Sequence, residues 1–226
     1  MAQKLLVEAK IDTLRTVRLP SMIIRLVFFV YLMLSGQIAF SAETILESSV
    51  STSTLQIGNA ANSETGTGFS LGLSAQTGLP NKFILLGEYS LTNATVNGEP
   101  LRSMEARGGF GYSFQDNLSV WTGAGSSTAA FALYKSHSIE GYKYDLADDQ
   151  IDLGFTSKFS LAPQIYSDFT IFGSLNDPDE TYQGSASIGY QMNFGTIKLI
   201  VSGSRSVVQS IDTAETRIGL SFSTNY

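Results

Sequence analysis

The chain has 226 residues, 15% of them charged, with a net charge of −6 and no cysteine. Lack of cysteine excludes a disulfide framework and a thiolate metal site. The acidic balance, with a sequence pI near 4.8 and no basic patch, excludes a nucleic-acid partner. Mean hydropathy is only +0.08, although the charged fraction lies well below the roughly 25% of average proteins. Strands that alternate lipid-facing and interior residues give that combination. Glycine (21) and aromatics (11%) are plentiful, and proline (5) is scarce.

The first forty residues read as an export signal. Arg25 precedes an unbroken apolar run, Leu26 to Leu34, and Ala39-Phe40-Ser41 supplies small residues at the −3 and −1 positions. The run is about half the ~20 residues of a spanning helix, so a cleaved signal helix over 1–41 is expected, with Met22 as an alternative start. Residues 42–226 form the mature domain.

Period-two alternation then takes over, the mark of strands with one apolar face. Apolar sets follow in chain order. They are Phe69 to Ala75, Phe83 to Leu91, Met104 to Phe114, and Leu118 to Ala124 after a Gln115-Asp116-Asn117 turn. Next come Ile151 to Leu161, Ile165 to Leu175, Ala186 to Phe194, Ile197 to Val201, and Ile218 to Tyr226. Such segments are long enough to cross a membrane when tilted, which takes ~9–11 residues. Lys82, Glu88, Glu105, Arg107, Asp152, Lys158, Asp168, Lys198 and Arg217 all fall on the polar face. The fold class expected is all-β, an antiparallel up-and-down transmembrane β-barrel. The weakly apolar segment Ser49 to Ile57 makes the count ten, an even number, with eight as the alternative. Short turns are expected at one end and longer connections at the other. The longest, 126–150, is an external loop or a hairpin extension.

Gly108-Gly109-Phe110-Gly111-Tyr112-Ser113-Phe114-Gln115-Asp116-Asn117-Leu118-Ser119-Val120 resembles the hairpins of the opacity-protein/OmpA-like outer-membrane β-barrel superfamily. The C-terminal Arg217-Ile218-Gly219-Leu220-Ser221-Phe222-Ser223-Thr224-Asn225-Tyr226 resembles the terminal assembly signal of such barrels, through Gly219, Leu220, Phe222 and Tyr226. The family's terminal aromatic is usually Phe, and here it is Tyr. The resemblance implies a fold group and recognition by the outer-membrane assembly machinery; lipid and lipopolysaccharide are the further partners expected of a chain in that membrane. It implies no cofactor and no particular activity.

The polar-face charges are close to balance, and Glu105 and Arg107 share a face two residues apart. A narrow barrel is nearly filled by side chains, so these charges are expected to form an internal polar network. His137, the single histidine, sits in 126–150 as Ser136-His137-Ser138 and reads as a solvated loop residue. A His-x-Ser hydrolase pattern fails because Ile139 occupies the second position. Asn176-Asp177-Pro178-Asp179-Glu180 reads as a solvated turn, and Trp121 as a lumen residue or the mark of a bulge. The function expected is a non-enzymatic bacterial outer-membrane barrel with a structural or surface-interaction role. The rival readings are a narrow solute channel, a surface hydrolase acting on lipid A or peptides, and a secreted β-sandwich binder.

Overall fold

A computed structural model describes residues 44–59, 62–114, 126–176 and 181–225. The expected signal segment 1–41 lies outside the described residues, as do Trp121, the Gln115-Asp116-Asn117 turn, Asp177 to Glu180, and Tyr226.

Ten antiparallel strands close into one barrel: β1 (Thr44–Asn59), β2 (Asn62–Gly78), β3 (Phe83–Val96), β4 (Glu99–Ser113), β5 (Ser126–Gly141), β6 (Tyr144–Ala162), β7 (Ile165–Ser174), β8 (Tyr182–Met192), β9 (Gly195–Val208) and β10 (Ile211–Asn225). Each strand pairs with its sequence neighbours, and β1 pairs with β10 from Ile45↔Asn225 to Gly58↔Asp212. That seam removes both sheet edges, so the strands' backbone donors and acceptors can be satisfied around the ring. Gly219 sits in the seam because a Cβ there would lie 2.2 Å from the Val50 carbonyl oxygen and 2.4 Å from Ser51 Cβ.

The barrel is inside out relative to a soluble protein. Its exposed positions carry Leu46, Val50, Phe69, Leu71, Leu73, Phe110, Leu153, Phe155, Ile171, Ile188, Leu199, Ile218, Leu220 and Phe222. Alternate residues on the same strands, such as Ser70, Ser103, Arg107, Asp152, Lys198 and Ser221, are buried. A monomer in water rarely exposes more than a few hundred Å² of contiguous apolar surface, whereas a lipid-facing barrel must. Aromatic side chains mark the margin at the end carrying both termini. Tyr112 packs edge-on against Phe83 at 5.6 Å and against Phe114 at 5.9 Å, and Phe194 meets Phe222 at 6.2 Å. Tyr190 donates to Gln164 Oε1 at 2.8 Å. Rings with a polar tip suit a lipid–water interface. Tyr89 instead lies mid-strand between Leu73 and Ala106.

Four expectations are corrected or narrowed by the strand pairings. First, the connections at the far end are mostly not longer loops. Val96 pairs with Glu99, Gly141 with Tyr144, and Val208 with Ile211, each leaving a two-residue turn. Asn97 and Gly98 take φ of 51° and 85°, and Gln209 and Ser210 take 50° and 70°, as the tight turns that match strand twist require. The asymmetry lies in the strands themselves. β2 has 17 residues and β6 has 19, so both continue beyond the apolar belt. There the outward face turns polar, with exposed Arg102, Glu140, Asp145, Asp149 and Arg205.

Second, of the two readings of 126–150 the hairpin extension holds, the segment forming the arms of the β5–β6 hairpin, closed at Tyr142-Lys143. Third, the strand partner of Ser113 is Ala129, not a residue just past the expected Gln115-Asp116-Asn117 turn, which with the expected strand start Leu118 to Ala124 lies outside the described residues. The register that places Phe131, Leu133 and Lys135 inward, with Lys135 beside Glu105, demands this offset. Fourth, Lys82 is not in the lumen. It closes the short 3-10 turn Pro80–Lys82 with φ of 66°, because β3 begins one residue later.

A lysine replacing Leu220, mid-belt between Val50 and Leu199, should cost about 2–4 kcal/mol in a bilayer. Lysine at Ala147, exposed on the β6 extension, should cost almost nothing. Urea unfolding in lipid vesicles, followed by circular dichroism, measures both.

Candidate functional site: a sealed lumen

Inward positions divide the lumen into layers. At its centre is Arg107 on β4, with about 1% of its side chain exposed. Its guanidinium lies 3.2 Å from Glu105, 3.4 Å from Asp152 and 3.7 Å from Glu88. It also donates to Gln183 on β8, and its carbon stands 5.0 Å above the Phe172 ring. Lys135 reaches the other oxygen of Glu105 at 3.1 Å. One cation thus gathers carboxylates from β3, β4 and β6, and a second shares one of them. Opposite charges at such distances compensate the loss of hydration that each would otherwise suffer.

Two further clusters complete the polar filling. Lys198 meets Glu47 at 2.6 Å and Asp168 at 3.3 Å, linking β9 to β1 and β7. Nearby, the Lys158 ammonium sits 3.8 Å from the centre of the Tyr166 ring, close enough for a cation–π attraction. Arg217 holds Glu215 through two bonds of 2.7 Å. Glu215 also accepts from Ser70 at 3.1 Å and Thr92 at 2.8 Å.

The sequence-derived network therefore splits into three groups. Glu88, Glu105, Arg107 and Asp152 come together, as do Lys158, Asp168 and Lys198. Arg217 stands in the third, and Lys82 lies in the Pro80–Lys82 turn. Glu47, Lys135 and Glu215 were missed. The alternation of β1 and β10 would have placed Glu47 and Glu215, had those strands been read to their full length. Lys135 was hidden by the reading of 126–150 as an external connection.

His137 carries the same correction. It is buried on the inward face of β5, not solvated, and its Nε2 lies 3.0 Å from Ser103 Oγ. A serine and a histidine at that distance are a nucleophile and a base by type. The adjoining cavity, however, has a volume of about 10 Å³, bounded by Glu105, Lys135, Glu215 and Arg217 among others. That is room for about one water, and none for a substrate.

Both apolar clusters of the lumen were invisible as such in the sequence. Ile84, Leu86, Ala129, Phe131, Leu133 and Phe172 fill one side of it. Leu55, Ile57, Ala94, Val96, Leu101 and Ile139 close the far end, with Tyr142, Tyr144, Leu146 and Ile211 packed upon them. The β5–β6 tip is tied across this cork. Glu64 on β2 accepts from Tyr142 Oη at 2.9 Å and Lys143 Nζ at 3.0 Å. Asn97 donates to the same Tyr142 oxygen at 3.1 Å, and Tyr142 N to the Pro100 carbonyl at 2.9 Å. Three hairpins thus share one latch. The Lys143 hydrogen bond holds the Glu64 carboxyl below its ordinary pKa, against the opposing effect of partial burial.

A second cavity, of about 70 Å³, lies along the small residues Ser49, Ser51, Ser70, Gly72, Ser202 and Gly219, and Arg217 borders both cavities. Among the described residues no three His, Cys, Asp or Glu side chains are grouped to hold a metal ion.

No family model matches the chain, and no curated protein matches it. Among solved structures, Neisserial surface protein A aligns with 11% identity and a TM-score of 0.43, over 82% of this chain and 99% of that one. Ail, the attachment invasion locus protein of Yersinia pestis, aligns with 8% identity and a TM-score of 0.37, over 80% and 98%. The translocator domain of the autotransporter NalP from Neisseria meningitidis aligns with 9% identity and a TM-score of 0.43, over 80% and 88%.

Two outcomes test the lumen's construction. Arg107→Met leaves Glu105, Asp152 and Glu88 without their shared cation and should destabilise the barrel by about 3–5 kcal/mol. Adding Asp152→Leu should recover part of that loss, read by urea unfolding in vesicles. Acidification should loosen the far-end latch. Because the folded pKa of Glu64 is depressed, its contribution is complete above the unfolded value. That contribution disappears as pH falls through the folded one, below the usual carboxylate range. Amide exchange at Tyr142 and Lys143 should rise there, and Glu64→Gln should show the raised exchange already at neutral pH. Closed, even-stranded, antiparallel and apolar on its outside, the chain has the fold of the outer-membrane β-barrel group.

Proposed function

We propose that the protein is a small barrel of the bacterial outer membrane that neither conducts nor catalyses, and that serves a structural or surface-interaction role. The far end faces outward, and both termini face the periplasm. The observation that carries this reading is the pairing of an apolar outer belt with a lumen filled by paired charges and corked by Leu55, Ile57, Ala94, Val96, Leu101 and Ile139. A belt of that kind suits lipid, and a cork of that kind suits a scaffold more than a pore. Rather than floppy loops, the barrel offers rigid paired hairpins to the exterior. Their outward side chains on β5 and β6, Glu140, Asp145 and Asp149, are exposed and acidic.

The narrow-channel reading rests on the serine-lined cavity beside Arg217. Water chains that conduct need a continuous passage, and here Arg217–Glu215 and the apolar cork interrupt it. In planar bilayers the protein should give no steps above background. A variant with the cork made small and polar, Leu55→Ser with Leu101→Ser and Ile139→Ser, should give small cation or anion steps if folding survives. Regular steps from the unmodified protein would replace the scaffold reading with the channel.

A further inference from the structure

The hairpins of the far end stop at different heights. β5 and β6 pair up to Gly141↔Tyr144, whereas β6 and β7 pair only up to Asp152↔Ser174. Just above that last pair, Leu175 N still donates to the Ile151 carbonyl at 2.8 Å. From Leu146 to Gln150 no strand among the described residues pairs with the β7 side of β6. At about 3.3 Å per residue this stretch is about 17 Å long, the length of an ordinary strand. Two bonds show which groups point to that side. Ile151 O accepts from Leu175 N, and Ala147 O accepts from Gln209 Nε2 at 3.2 Å. In an antiparallel strand the N–H and C=O of one residue point the same way. Ala147 and Asp149 therefore turn their backbone groups to the β7 side, and both residues are exposed. Tyr144 and Leu146, on the inner face, pack on the cork, which holds the edge in place.

The outer margin of this edge is acidic. Asp145 and Asp149 are exposed on β6, and Glu140 stands opposite Asp145 on β5. The surrounding cations are already engaged. Lys143 is held by Glu64 at 3.0 Å and Arg205 by Asp212 at 2.6 Å. Arg102 lies one strand further away, as the strand partner of Glu140. A second copy of the chain is a poor occupant. Antiparallel pairing of two such edges about Ala147 sets Asp145 against Asp149, and like charges directly opposite one another destabilise a sheet.

We propose that the β7 side of β6 between Leu146 and Gln150 takes up an extended, lysine- or arginine-rich segment of a partner protein as an added strand. The inference deepens the surface-interaction reading and rests on it. Backbone bonds to Ala147 and Asp149 supply the ladder. The carboxylates of Asp145 and Asp149 select basic side chains that alternate along the entering strand. Gln209 yields the Ala147 carbonyl to the newcomer, exchanging a side-chain bond for a backbone one. Acidic side chains also keep strand edges from aggregating, and the experiment separates the two roles.

The full chain in an uncharged detergent is titrated into a fluorescent peptide of Lys-Thr repeats, about eight residues long to span the edge, and binding is read by anisotropy. A gel-mobility shift on boiling is checked first for each protein. Its absence in the unmodified protein overturns the membrane reading, and this edge with it. With the shift present, the Lys-Thr peptide should bind, a Glu-Thr peptide should not, and added salt should weaken the binding. Methylating alternate backbone nitrogens of the peptide leaves its charge unchanged and should weaken binding about tenfold, as loss of backbone bonds implies. Ala147→Pro removes a donor on the β7 side and no bond to β5, and should weaken binding by a similar factor. Asp145→Asn with Asp149→Asn should abolish the preference for the basic peptide. Gln209→Ala, which uncovers the Ala147 carbonyl, should strengthen binding. If Ala147→Pro fails to fold, the methylated peptide carries the test. Equal binding of the methylated peptide would reduce the effect to charge alone and overturn the proposal. No binding of the Lys-Thr peptide, or binding untouched by Ala147→Pro, would overturn it while leaving the membrane reading intact. Self-association that Ala147→Pro abolishes would give the edge to a second copy and overturn it too.

Discussion

The structure depends on the hydrogen-bonded seam between β1 and β10. A spanning strand has no water to satisfy its backbone, so an open edge in hydrocarbon costs several kcal/mol for every unpaired group. Closure removes that cost for all ten strands at once. It also fixes the alternation around the whole ring, because a slip of one residue at the seam would turn Leu220 and Phe222 inward and Arg217 toward lipid. The small residues at the seam follow from this. Gly219 lies against Ser51 where a larger pair would force the strands apart.

Closure creates the second problem, a narrow interior into which each strand drives half of its residues. Charges there are tolerated only in company. Arg107 with Glu88 and Asp152, and Lys198 with Glu47 and Asp168, join different strands, while Arg217 holds Glu215 on its own strand. These pairs fix register more than they add stability, since a buried pair roughly balances its own desolvation. Above them the strands outrun the membrane. The extra length carries the apolar cork and the Glu64–Tyr142–Lys143 latch, so the end away from the termini is itself a small packed structure.

Much of this was legible in the sequence, and the failures share a cause. Period-two alternation located the belt because lipid demands an apolar residue at each outward position: Phe69, Leu71 and Leu73 on β2, or Ile151, Leu153 and Phe155 on β6. Where strands leave the membrane that demand ends. On β5 the inward Leu133, Lys135, His137 and Ile139 alternate with Ala132, Tyr134, Ser136 and Ser138, so neither face reads as apolar and the segment was read as a connection, a loop or a hairpin extension, rather than as a spanning strand. The lumen's apolar half was hidden for the opposite reason. Phe83-Ile84-Leu85-Leu86 is apolar on both faces, and one face only was assigned to lipid. Lys82 went astray by one residue at a turn whose left-handed backbone at Asn81 and Lys82 has no glycine to announce it.

The central claim is that the chain is a closed barrel in the outer membrane. The most direct test is to fractionate cells making a tagged form and run the fractions boiled and unboiled on one gel. The account predicts recovery in the outer-membrane fraction, with the unboiled band running as a compact species that shifts on boiling. A soluble periplasmic protein with no shift would contradict it, and the apolar belt would have to be covered by something other than lipid.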